Sequence, residues 1–385
     1  MFVAGEPSGD LLAAELVASL KVELAANPQS AARYPQFFGA GGPKMAEAGV
    51  ELAFDMTRHS VIGPWEAVKS YGRFKRIFDR MVALAFERRP DVIVCVDFSV
   101  FNHRFAEKIR WETEVRRATH GDWKPKIVKY VSPQVWASRP GRAKSMPRLF
   151  DLLLTIFPFE KAWYAGRVPE LKVEFVGNPA ADRFNVERST LNVERSNNSV
   201  LLLPGSRVGE LKRHLPVMFE AMREIQRARP DTRARMVLPN EPLLQLARSI
   251  APPVELELRV GDLRSALAEA TVAIACTGTV TMECAWFGLP TVALYKTSWG
   301  TYQIGRRIIQ VKFLAMPNIL AGEAVYPEFI QDDATGGNLA RAALELLNDA
   351  PRREAISAKL ARMVTSLGGA GASRRAAEAI LRLRG

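Results

Sequence analysis

Ala275-Cys276-Thr277-Gly278-Thr279-Val280-Thr281-Met282-Glu283 places a Thr/Gly turn between two different periodicities. Before it runs an apolar stretch, Thr271–Ile274, that reads as a buried strand. After it, Met282, Ala285, Trp286 and Leu289 recur at helical spacing until Gly288 and Pro290 end the helix. The first N–H groups of a helix have no intrahelical partner, and the helix dipole adds partial positive charge there, so such a turn suits a phosphate. Glu283 falls about one turn further on, within reach of a ribose beside that phosphate. An ordinary capped helix in an α/β domain has the same pattern, so the turn gains meaning only from what accompanies it.

Other strand ends carry chemistry of the same kind. Pro90–Asp97 is a nearly continuous apolar strand that finishes in a carboxylate, and Asp97 is placed like a general base, with capping of the following turn as the plain alternative. Val200–Leu203 runs into Pro204-Gly205-Ser206-Arg207, where a Gly-Ser turn allows close approach of a phosphate and Arg207 can clamp it with two donors. Leu256–Val260 runs into Gly261-Asp262-Leu263-Arg264. A basic loop with Arg139, Arg142, Lys144 and Arg148 follows the strand Lys126–Val131. Neither Gly5-Glu6-Pro7-Ser8-Gly9-Asp10 nor the turn at Gly39–Lys44 has dinucleotide or Walker spacing, and Pro43 removes an N–H from the second.

These residues need a scaffold of alternating strands and helices. The pattern predicts five or six βα units before Gly177 and a second series from Val200, which amounts to two Rossmann-like, doubly wound domains facing across a cleft. We expect residues 1–177 to form the first domain and 178–349 the second. The polar stretch 178–199 serves as linker, and helices from about 350 to 385 return to the first. Val61–Arg89 alternates aromatic and aliphatic residues (Trp65, Phe74 and Phe78 among them) with Lys and Arg. A membrane-interface segment fits it, as does a helix packed on the sheet with a basic outer face.

Composition narrows the classes. The chain has 385 residues, 48% hydrophobic and 24% charged, with a formal net charge of +12, so it favours anionic partners. Its 3 cysteines form no C-x-x-C pair, the 4 histidines are scattered, and no Asp-x-Asp stands at a strand end, so neither a zinc site nor a disulfide framework is expected. No signal peptide is expected, and the longest apolar runs are too short to span a bilayer. No recognised nucleic-acid motif accompanies the charge, although a nucleic-acid module would explain it and would show steep salt dependence.

Six stretches together go further. Gly5-Glu6-Pro7-Ser8-Gly9-Asp10, Val131–Ala137, Phe157-Pro158-Phe159-Glu160, Leu203–Arg207, Gly278-Thr279 with Glu283, and Pro317–Gly322 resemble, in order over nearly the whole chain, the lipid-A-disaccharide synthases. The resemblance implies a GT-B fold and an inverting transferase. It would join UDP-2,3-diacylglucosamine to 2,3-diacylglucosamine 1-phosphate, without a metal or other cofactor. It implies Asp97 as base and nucleotide-sugar contacts at Arg207, Glu283 and Asn318, with Gly205, Ser206, Gly261, Arg264, Gly278 and Thr279 beside them. The acceptor side would use Glu6, Ser8, Asp10, Arg139 and Arg142. It also implies a cytoplasmic, peripheral protein on the inner face of the inner membrane, with no nucleic-acid partner; the oligomeric state stays open, a homodimer included. Val100 stands where members of the family often carry a second acid, and Ser138 where a Trp commonly precedes Arg139. A UDP-sugar 2-epimerase on the same fold is the alternative reading.

Overall fold

The computed structural model describes residues 1–26, 35–57, 71–188, 198–250 and 255–384. They fall into two compact units, Met1–Arg183 together with Leu367–Gly385, and Phe184–Ser366. The first unit is built on β1 (Phe2–Ala4), β2 (Phe38–Gly41), β3 (Glu51–Asp55), β4 (Val92–Val96), β5 (Lys126–Tyr130), β6 (Leu152–Thr155) and β7 (Val173–Phe175), in the order β3-β2-β1-β4-β5-β6-β7. The second is built on β8 (Ser199–Leu203), β9 (Arg233–Leu238), β10 (Glu257–Val260), β11 (Val272–Cys276), β12 (Thr291–Tyr295) and β13 (Glu328–Ile330), in the order β10-β9-β8-β11-β12-β13. The pairings within both sheets are parallel.

The sequence makes these sheets because their central strands are apolar on both faces. Val272–Cys276 is buried throughout, and so are Val200–Leu203 and Ile93–Val96. Helices must then cover both sides, and each Val, Leu or Ile so enclosed contributes about 1.5–3 kcal/mol. The strand order reverses once in each sheet, between β1 and β4 and between β8 and β11. At such a reversal the following helices leave toward opposite faces, and a crevice opens at the carboxyl ends of the two strands. Asp97 ends β4, and the Thr/Gly turn ends β11.

Three expectations are corrected here. The helix Tyr71–Arg88 buries Met81, Val82, Ala85 and Phe86, and the Phe78 ring packs edge-on against Phe101 and Phe105 at 5.4 and 6.1 Å. Phe78 therefore faces the core, because the apolar stripe is spent on the sheet; Trp65 and the side chain of Phe74 lie outside the described residues. The polar stretch expected as linker over 178–199 begins with a helix, Ala180–Arg188, and the boundary between the units falls inside it, at Arg183/Phe184. The chain returns to the first unit at Leu367, and the helix Ala350–Ser366 stays with the second. The last helix, Ala372–Arg384, places Ala376, Ala377, Ala379 and Ile380 in one core with Ala13, Leu16, Val17 and Leu20 of the helix Pro7–Ala26.

Candidate active site

A cavity of about 630 Å³ opens in the second unit at the carboxyl ends of β8 and β11. Two helix starts meet there, Val208–Ala228 after β8 and Thr279–Trp286 after β11. Gly278 is the N-cap of the second, with φ 143° and no side-chain cap, so nothing of its own covers the first N–H groups. Thr281 ties the turn by donating from Oγ1 to the Gly278 carbonyl at 2.7 Å. Glu283 lines the same wall, half-buried.

The Gly205-Ser206-Arg207 turn, which leads into the helix Val208–Ala228, lines the same cavity. Gly205 has φ 123°, and a Cβ there would lie 2.4 Å from Glu210 Oε2, so only glycine fits. Glu210 accepts from the Ser206 N–H at 3.0 Å and stands 3.6 Å from Arg207, whose side chain is 76% exposed. Such an arginine is anchored loosely enough to turn toward an anion. Much of the remaining wall is apolar: Leu238 at the end of β9, Pro239 after it, Leu263, Tyr295, Ile309 and Leu314. Cys276 also lines it, but burial pushes its thiol up to about 12, so it is a wall rather than a nucleophile. The arrangement can cradle a diphosphate between two helix starts and an arginine, with a flat apolar face for a base.

Sequence reasoning located Gly205, Ser206, Arg207, Gly261, Gly278, Thr279 and Glu283, and the structure brings them together on this cavity. It does not bring in Arg264 or Asn318. Arg264 is exposed, its guanidinium 5.6 Å from the Phe184 ring centroid, and its neighbour Leu263 takes the place on the wall. Asn318 is fully buried, donating to the Tyr326 carbonyl and Glu328 at 2.8 Å each and accepting from the Tyr326 N–H at 2.8 Å. Its amide is committed to holding the turn 315–328, where Glu328 also accepts from the N–H groups of Leu314 and Ala315.

Sequence reasoning missed His214, which lies beneath the cavity. Its Nε2 accepts from the Lys296 N–H at 3.0 Å, so Nδ1 carries the proton and donates to the Pro204 carbonyl at 2.7 Å. One buried imidazole thus ties the end of β8 to the end of β12, and burial holds its pKa below the usual histidine range. The signal was a polar residue on the apolar face formed by Leu211, Leu215, Met218 and Met222.

In the first unit, Asp97 and Phe98 both take left-handed backbone, at φ 44° and 43°. Two consecutive non-glycine residues in that region store about 1–3 kcal/mol each, and such strain concentrates at working sites. Their neighbours explain the Gly5–Asp10 motif. A Cβ on Gly5 would sit 2.2 Å from the Phe98 ring, and one on Gly9 would touch Asp97 Cβ at 3.7 Å. Asp10, expected on the acceptor side, is instead a buried fastener. It accepts from the N–H groups of Gly42, Met45 and Lys44 at 2.8, 3.0 and 3.0 Å and so fixes the β2 turn. Glu6 is half-buried and Ser8 exposed at the same turn; Arg139 and Arg142 are exposed in the basic loop, and Val100 is exposed beside Asp97. Glu160 joins two further motifs, accepting from Trp136 Nε1 at 3.0 Å and the Phe157 N–H at 3.1 Å; burial lifts its carboxyl to about 7 against the pull of those bonds. Among the described residues no group of three or more His, Cys, Asp and Glu could hold a metal ion, and no helix is long and apolar enough to cross a membrane.

Two doubly wound units, one with a cavity at its switch point, define the two-domain fold used by nucleotide-sugar epimerases and glycosyltransferases. Solved structures agree at the level of fold. The UDP-GlcNAc 2-epimerase of Neisseria meningitidis, bound to UDP-GlcNAc, matches with a TM-score of 0.61 at 13% identity, covering 96% of each chain. The calicheamicin glycosyltransferase CalG4 matches with a TM-score of 0.55 at 15% identity over 99% of this chain and 96% of that one. Sequence decides between them. Residues 1–383 match the family model described as lipid-A-disaccharide synthetase. The lipid-A-disaccharide synthase of Geobacter sulfurreducens is 36% identical over 100% of this chain and 97% of its own length. That of Nitrosococcus oceani is 37% identical over 98% and 94%. The chain belongs to the lipid-A-disaccharide synthase family and is a glycosyltransferase of lipid A biosynthesis.

Proposed function

We propose that the enzyme transfers the sugar of UDP-2,3-diacylglucosamine to the 6-hydroxyl of 2,3-diacylglucosamine 1-phosphate, with inversion at the anomeric carbon and release of UDP. The observation that carries this reading is the cavity at the β8/β11 reversal, where two helix starts and Arg207 converge. The donor's diphosphate sits against Gly278 and Thr279 with Arg207 opposite, and these groups stabilise the charge that grows on UDP as it leaves. Glu283 holds the ribose, and Leu238, Pro239, Gly261 and Leu263 flank the base. Asp97 takes the proton of the attacking hydroxyl. Arg139 and Arg142 receive the acceptor's 1-phosphate. The lipid substrates place the enzyme on an anionic inner-membrane surface, to which its positive charge is suited.

Supplying both lipids and measuring UDP release together with the disaccharide tests the reaction; an epimerised UDP-sugar in place of a disaccharide would favour the alternative. Asp97→Asn tests the base. Turnover is expected to fall about a hundredfold or more with UDP affinity unchanged, and near-normal turnover would retire Asp97 from that role.

A further inference from the structure

Lys129 is the one lysine among the described buried polar residues, 1% exposed. It stands on β5 beside Cys95 of β4 and Leu153 of β6, on the same face as Ile93 and Ile127, in the apolar core of the first unit. A lysine there is costly. An ammonium loses several kcal/mol of hydration on burial, whereas a methionine of the same length would fill the space at no such cost. The sheet does not need it, so the reason lies where its nitrogen goes. Nζ donates to the backbone carbonyl of Asp97. Asn102 Nδ2, also fully buried, donates to the same oxygen at 2.9 Å and to the Val96 carbonyl at 3.1 Å. The strained Asp97–Phe98 turn is thus held from below by two buried donors, of which one is cationic.

We propose that Lys129 is a positioning residue for Asp97, pinning the left-handed turn through its carbonyl and setting a positive charge behind the carboxylate that receives the acceptor's proton. This rests on the reading of Asp97 as the base. In the step itself the hydroxyl oxygen bonds the anomeric carbon, the bond to the UDP oxygen breaks, and the proton passes to Asp97; Lys129 exchanges nothing. The other titratable groups near it are Cys95, whose thiol burial pushes up to about 12, and His103 on the helix Ser99–Val115. His103 is held below the usual histidine range by burial and stands at 3.3 Å from Ser145 Oγ, with Arg142 nearby. Neither supplies the positive charge in its place. Burial brings Lys129 itself down to about 8.

The test uses the full chain with Lys129→Met, Lys129→Gln and Asp97→Asn in parallel, reading melting temperature, UDP affinity, kcat and KM. Lys129→Met is expected to fold, to bind UDP within about twofold of the parent, and to lose about ten- to a hundredfold in kcat with KM little changed. Lys129→Gln, which keeps a donor for the Asp97 carbonyl, should recover part of kcat. Unchanged kcat in Lys129→Met, or a kcat in Lys129→Gln no better than in Lys129→Met, overturns the inference; so does loss of fold in both variants, which would make the lysine a structural fastener. If Asp97→Asn keeps full turnover, the base assignment fails instead, and the two failures are told apart.

Discussion

Replacing His214 with Phe should weaken the donor cavity in a pH-dependent way. The imidazole satisfies the buried Pro204 carbonyl at 2.7 Å and the half-buried Lys296 N–H at 3.0 Å. A phenyl ring fills the volume but bonds neither, at about 1–3 kcal/mol for the carbonyl and about 1 kcal/mol for the N–H, so His214→Phe should cost about 2–4 kcal/mol at pH 8. Because Pro204 precedes the Gly205–Arg207 turn and Tyr295, on the cavity wall, precedes Lys296, UDP affinity should fall with it. The sign with pH follows from the direction of the shift. Burial depresses the folded-state pKa below the ordinary histidine value of 6.5, so the neutral ring is the form the fold selects. Its contribution is complete above 6.5 and fades as pH drops through the folded-state value, when Nε2 gains a proton against the Lys296 N–H. Urea unfolding of the parent and the variant at pH 8, 7, 6 and 5 isolates the term. The gap between them should be widest at pH 8 and narrow below 6.5, by at most about 1.4 kcal/mol per pH unit. A gap that stays constant, or widens toward acid, would refute the assignment of a neutral, doubly bonded imidazole.

Two further substitutions probe the second unit. Gly278→Ala should raise the UDP Kd about tenfold or more, because a side chain at φ 143° is strained by about 1–3 kcal/mol, although its Cβ would meet no atom within 4 Å; isothermal titration reads it directly. Asn318→Ala should lower the unfolding midpoint, since it removes the side-chain bonds to the Tyr326 N–H and carbonyl at about 0.5–1.5 kcal/mol each, while UDP affinity of the folded protein stays within about threefold; a large loss of affinity at unchanged stability would return Asn318 to the site.

The central strands were readable because a parallel sheet covered on both faces demands unbroken apolar runs, and Val272–Cys276 or Val92–Val96 admit little else. The edges were not. Glu51–Asp55 and Glu328–Ile330 are short and only partly buried, so no run marks them. Turn residues were found wherever chemistry and chain position agree, as at Gly278 and Arg207. What sequence could not tell is which way a polar side chain turns. Asp10 stands in the first turn of Pro7–Ala26 and Asn318 within the short helix Met316–Ala321, yet each spends its oxygens on backbone outside its own helix, Gly42–Met45 and Tyr326. Lys129 and His214 posed the opposite difficulty. They lie inside apolar patterns, and only the fold reveals the carbonyls they serve.

The docking of Ala372–Arg384 onto Pro7–Ala26 bears on how the enzyme is made. Synthesis proceeds from the amino end and domains generally fold as units while the chain emerges. The first unit leaves the ribosome first but lacks its closing helix until residues 372–384 are free, whereas Phe184–Ser366 is made before them. The half made second can therefore reach its native state before the half made first, whose leucines and valines on Pro7–Ala26 must wait for Ala372–Arg384, and a chain stalled before that helix would strand them.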